Sequence, residues 1–133
     1  MKLDHVGIAV ESIEAALPFY REQLGLMVVH REEVAEQKVN VVFLAGSKDG
    51  EPSLIELLEP TASDGVVALF LKNQGPGMHH VAFRTDDIER AMEKFKSAGK
   101  APLETRPRDG SRGHKVCFLH PKHAHGVLVE LVG

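Results

Sequence analysis

Four side chains have the types and spacing to do chemistry together. His5 stands in "DHVGIAV" and His80 in "MHHVAFR", each opening an apolar run, and the two are 75 residues apart. Glu56 stands in "LIELLEP" and Glu130 in "VLVELVG", 74 residues apart. Ile13 and Ile88, Glu14 and Glu89, and Ala16 and Ala91 repeat the 75-residue offset, so the chain writes one pattern twice. In a strand, alternate residues share a face, which puts Glu56 with Leu54 and Leu58, and Glu130 with Leu128 and Val132. A carboxylate on an apolar face is costly to bury unless it is paired or bound to a cation. Taken singly, a strand His is usually a packed residue and a strand Glu usually faces solvent. Matched spacing of both types favours a divalent metal held by two imidazoles and two carboxylates, a donor set that suits Zn, Co, Ni, Mn or Fe(II).

The elements needed to position these residues are readable. "HVGIAV" (5–10) reads as a strand. Ser12 can cap a helix running to about Leu24, stopped by Gly25, with Pro18 predicting a kink. "LMVVHREEV" (26–34), "KVNVVFLA" (38–45) and "SLIELLE" (53–59) read as strands, giving β-α-β-β-β over about 4–60. Residues 61–77 form a connector in which "DGVVALFLKNQ" can make a short helix. The second module, about 78–133, repeats the order. It has a strand at "HHVAFRT", a helix capped by Asp86 or Asp87 and stopped by Gly99, and a weak strand at about 101–105. A Gly- and Arg-rich loop at 106–114 follows, then strands at "KVCFLHP" and "GVLVELV" (126–132).

Composition bounds the rest. A chain of 133 residues with 43% hydrophobic and 26% charged content is one soluble α+β domain's worth. A net charge of -3 with interspersed signs argues against nucleic acid as a partner. No apolar run approaches the roughly 20 residues of a membrane span, and no signal peptide is expected before the first strand, so the expected location is cytoplasmic. Cys117 is the only cysteine, lies in an apolar run, and reads as an inert buried thiol.

Duplicated β-α-β-β-β units, with His on the first strand and Glu on the last, resemble the vicinal oxygen chelate superfamily, which includes glyoxalase I. The resemblance spans essentially the whole chain. It implies two tandem modules forming cupped, mostly antiparallel sheets around one metal, with His5, Glu56, His80 and Glu130 as its ligands. "DHVGIAV", "LIELLEP", "GMHHVAF" and above all "FLHPKHAHGVLVEL" look like the epimerases that act on methylmalonyl-CoA. That likeness implies epimerisation at C2 through a metal-stabilised enolate, a CoA thioester as substrate, cobalt as the foremost ion with Zn, Mn or Ni as alternatives, and a homodimer. His80 rather than His79 is in register with His5. Some bacterial members carry Gln at the position of Glu56, and a Glu proposed as a base at the position of Val41. Here Val41 cannot move a proton, so Glu56 and Glu130 are expected to serve as both ligands and proton carriers, with Gln37 and Lys38 as weak alternatives. Arg112, Lys115 and Lys122, with Arg106, Arg108 and His114 nearby, are candidates for substrate binding. His120, His123 and His125 surround a Pro turn and read as an exposed His-rich turn rather than a second metal site. The competing functions are glyoxalase I, a non-catalytic resistance protein of the same fold, and an extradiol dioxygenase. The last wants two His and one Glu with open iron positions, which four ligands fit poorly.

Overall fold

The computed structural model describes residues 1–133. It is α+β, and its contacts divide it into two compact units: His5–His79, and Met1–Asp4 together with His80–Gly133.

In the first unit the strands are β1 (Lys2–Ala9, whose first three residues belong to the other unit), β2 (Met27–Val34), β3 (Val39–Ala45) and β4 (Leu54–Pro60). Their order is β2-β3-β4-β1, with β1 parallel to β4 and the other neighbours antiparallel. The apolar runs are buried on both faces, which is why β3 reads "VNVVFLA" without alternation. One face carries α1 (Ile13–Pro18), whose Ile13 and Leu17 pack on Val42, Leu44 and Leu57. Ser12 caps α1 by accepting from the Ala15 amide, and Glu59 on β4 accepts from the Ile13 amide. The other face buries Ala9, Val41, Phe43, Leu54 and Leu58 with Val67 of α2 (Val66–Gln74).

The second unit orders its strands β5-β8-β7-β6: β5 (Gly77–Arg84), β6 (Arg108–Asp109), β7 (Lys115–Leu119) and β8 (Val129–Val132). Again the first and last strands of the module, β5 and β8, are parallel. α3 (Ile88–Ser97), capped by Asp87, lays Ile88, Ala91 and Met92 on Cys117, Leu119 and Leu131. Ala82, Val116 and Val132 lie together on the opposite face.

The first helix is irregular at Pro18 as expected: α1 ends there and a wider, π-helical turn follows over Phe19–Gln23, Pro18 having no amide to donate to the preceding turn. Two expectations are corrected. Residues 101–105 form no strand: one backbone bond joins Leu103 N to Phe118 O, and the Glu104 carboxylate accepts from the Phe118 amide in place of a backbone carbonyl. The last strand begins at Val129 rather than 126, since His125 and Gly126 both adopt positive φ.

Candidate active site

Each unit builds a buried His–Glu pair from its two parallel strands. In the first, Gly7 of β1 stands opposite Glu56 of β4, so His5, two residues before Gly7, shares its face. His5 Nε2 lies 3.0 Å from Glu56 Oε2. In the second, Ala82 of β5 stands opposite Glu130 of β8, and His80 Nε2 lies 2.9 Å from Glu130 Oε2. All four residues are buried: His5 is 2% exposed, His80 4%, Glu56 5% and Glu130 7%. The repeated "His-Val-small" of 5–7 and 80–82 is thus the sequence form of one packing solution used twice.

A second layer repeats as well. Phe43 of β3 is the ladder partner of Glu56, and its ring meets His5 edge to face at 5.4 Å. Phe118 of β7 is the ladder partner of Glu130, and its ring meets His80 in the same way at 5.9 Å. These phenylalanines are 75 residues apart, in "VVFLA" and "VCFLH". The repeat therefore contained them, but a search confined to polar side chains passes over them. Each ring thus packs edge to face on the imidazole of its own pair.

The donor chemistry fits a divalent cation. Each pair offers one imidazole nitrogen and one carboxylate oxygen from buried side chains, the hard-to-borderline mixture that first-row divalent ions accept. His79 alternates away from His80, and its ring packs against Phe70 of α2 at 5.0 Å.

The substrate-binding candidates land differently. Arg112 is 14% exposed and is committed to Asp4, which also receives Arg84 Nε at 2.9 Å and Nη2 at 2.5 Å. Lys115 pairs with Asp109 across the β6–β7 hairpin. Lys122 is exposed in a 3-10 turn (Pro121–His123), where its amide donates to His120 Nδ1 at 3.0 Å. Lys38 adopts φ 56° and pairs with Asp64 at 2.5 Å, while Val41 is buried at 2%. Cys117 is fully buried, and desolvation, with Glu104 and Glu130 adding to it, pushes its thiol up to about 12.

This chain belongs to the glyoxalase/bleomycin resistance protein/dioxygenase superfamily, which matches residues 4–118. Several of its relatives within that superfamily are named as epimerases. The mitochondrial methylmalonyl-CoA epimerase of Mus musculus is 41% identical over 133 residues, covering 98% of this chain and 71% of the relative. The ethylmalonyl-CoA/methylmalonyl-CoA epimerase of Cereibacter sphaeroides is 39% identical over 132 residues, covering 98% and 96%. Among solved structures, a variant of the Streptomyces coelicolor methylmalonyl-CoA epimerase in complex with 2-nitronate-propionyl-CoA superposes with a TM-score of 0.92. It is 41% identical and covers 99% of this chain and 96% of that one.

Proposed function

We propose that the protein epimerises methylmalonyl-CoA at the carbon between its carboxylate and its thioester, and that His5, Glu56, His80 and Glu130 together hold one divalent ion. The observation that carries the reading is the duplicated pair: two buried imidazole–carboxylate contacts at 3.0 and 2.9 Å, built by the same strand pairing in each unit. The full-length likeness to named epimerases supplies the substrate. When bound, the ion supplies Lewis-acid stabilisation of negative charge on the substrate's oxygens. Cobalt is the first candidate, with Zn, Mn and Ni as alternatives.

Inverting one carbon needs a group that removes its proton and a second that returns one to the other face. Glu56 and Glu130 fill these roles in our reading. Both are carboxylates, both are held by a histidine, and they come from separate modules. Phe43 and Phe118 each pack edge to face on the imidazole of one pair. No redox change and no organic cofactor is needed. The reading includes a cytoplasmic homodimer, as the family resemblance implies.

The test is Glu56→Gln. The amide keeps a ligating oxygen and loses the base, so metal content falls little while epimerisation drops at least about 100-fold, the scale of general acid–base catalysis. Near wild-type epimerisation with unchanged metal content removes Glu56 as a base. A substrate panel that includes the hemithioacetal of glutathione separates this reading from glyoxalase I.

A further inference from the structure

The face of the first unit that bears His5 and Glu56 carries a second imidazole–carboxylate pair, and a break in strand register puts it there. Val28 of β2 stands opposite Leu44, but the next pairing is His30 opposite Phe43, so Val29 is an extra residue on the strand. Side chains alternate along a strand, so without this bulge His30 and Glu32 would follow Leu26 and Val28 onto the face covered by α1. With it, His30, Glu32 and Val34 turn to the opposite face, where Val34 is buried beside Val41 and Phe43. There His30 shares a rung with Phe43 and Glu56, and Glu32 a rung with Val41 and Leu58. Every other ladder position of this face within the unit, the four polar residues apart, is apolar or glycine. His30 Nε2 lies 2.8 Å from Glu32 Oε1, and the two side chains are partly open to solvent, at 38% and 30% exposure. The Phe43 ring neighbours both imidazoles of the unit, 6.1 Å from that of His30 and 5.4 Å from that of His5. Bulges re-aim side chains beside active sites, and this one brings a polar pair onto an otherwise apolar face.

We propose that His30, oriented by Glu32, carries protons between bulk water and the first-unit side of the site. This rests on the epimerase reading above and adds two residues that the reading does not use. A group that has taken a proton from one face of a substrate must lose it, and its counterpart must regain one, before the next molecule of the same epimer can react. Glu56 is 5% exposed, stands between Leu54 and Leu58 on its strand, and has Phe43 as its ladder partner, so it is poorly placed to exchange with bulk water unaided. His30 lies on the same rung and meets solvent. Imidazole takes a proton on one nitrogen as it gives one up from the other, which suits it to pass protons near neutral pH. The Glu32 carboxylate orients the ring and stabilises its charged form. Each transfer breaks one O–H or N–H bond as the next forms, through water between the pair and the site, and leaves the pair unchanged. The second unit has no equivalent. There the ring matching Phe43 is Phe118, and the cation over it is Arg108, 5.3 Å from the ring centroid and 3.3 Å from Glu104. A guanidinium keeps its protons and cannot relay them.

The experiment follows epimerisation of methylmalonyl-CoA by metal-loaded wild type, His30→Ala and Glu32→Gln, in dilute buffer and again with added imidazole. Metal content, melting temperature and calorimetric Kd for the substrate are measured alongside. For His30→Ala in dilute buffer we expect kcat to fall about 10- to 100-fold, less than the loss of a direct acid or base because water substitutes in part. A slow reset of the free enzyme limits turnover only at saturating substrate, so KM falls with kcat, and kcat/KM stays within about threefold. Imidazole restores kcat in the variant and leaves wild type unchanged. Glu32→Gln keeps the shape of the pair, loses about 3- to 10-fold in kcat and is restored in the same way. Metal content, melting temperature and Kd stay at their wild-type values. If kcat/KM falls as far as kcat and imidazole restores nothing, the pair touches substrate or shapes the site, and the relay is overturned. If both variants turn over normally in dilute buffer, the pair is a surface contact and the proposal fails. Lost metal or a lowered melting temperature in both variants marks a structural role and overturns it as well. A folded, metal-replete wild type that does not epimerise refutes the epimerase reading itself, and the relay falls with it.

Discussion

Replacing Asp4 with Ala is the sharpest test of how the site is held. Asp4 precedes His5, and its carboxylate is 1% exposed. It binds Arg84 of β5 and Arg112 of the turn Ser111–Gly113, residues 80 and 108 positions away in sequence. Removing one partner of a buried ion pair costs about 3–5 kcal/mol, because the remaining charge is left without compensation. Here the two arginines differ. Arg84 is 43% exposed and can recover hydration, whereas Arg112 is 14% exposed and cannot. Arg112 also sits at φ 57°, which a non-glycine residue holds at a cost of roughly 1–2 kcal/mol. Without Asp4 that turn can relax, which relieves part of the penalty. We therefore expect about 3 kcal/mol, near the low end. For a chain of this length that is a fall in melting temperature of about 10–15 °C. Urea unfolding followed by circular dichroism gives the free energy, and calorimetry the melting temperature. Because the pair is buried, the loss persists in about 1 M salt, where an exposed pair is screened out. A cost below about 1 kcal/mol, or one abolished by salt, refutes the reasoning and makes this an ordinary surface contact.

Three further outcomes follow from the same structure. Cys117, with its thiol pushed up to about 12, is barely ionised at pH 8, so a thiol reagent labels it only after unfolding. Rapid labelling of the native protein contradicts the packing of α3 on β7. Burial first, and then Arg112 and Arg84, depress the His114 imidazole below its usual value. The unfolded chain therefore takes up this proton first, and the stability contribution is full above about pH 6.5 and lost as pH falls below it. His114→Gln flattens that slope below about pH 6.5, and an unchanged slope contradicts the assignment. Stripping metal with a chelator lowers the melting temperature and metal returns it, since an ion held at a thousandfold excess over its Kd stabilises by about 4 kcal/mol. An unchanged melt after verified metal removal speaks against a ligand role for the four residues.

How much of this could be read in the sequence depends on whether it was encoded locally. The duplicated strands, the caps at Ser12 and Asp87 and the helix stop at Gly99 are signalled by neighbouring residues, and they appear where expected. The His–Glu pairs were legible because the repeat placed them at matching offsets, and each offset survives as a matching contact. Residues 101–105 were misread because β-like composition cannot show that the Glu104 side chain replaces a backbone acceptor. Arg112 was one substrate-binding candidate among several, and its pairing with Asp4, 108 residues away, is invisible to any local pattern. Arg108 was one basic residue among several until Phe118 and Glu104 gave it a fixed orientation.

Proton exchange tests the central claim most directly. Metal-loaded protein is mixed with one epimer of methylmalonyl-CoA in D₂O, and deuterium entry at the α-carbon is followed together with loss of optical purity. The account predicts rapid exchange with racemisation, both abolished by chelator and by Glu130→Ala. Folded, metal-replete protein that neither exchanges nor racemises the substrate contradicts it.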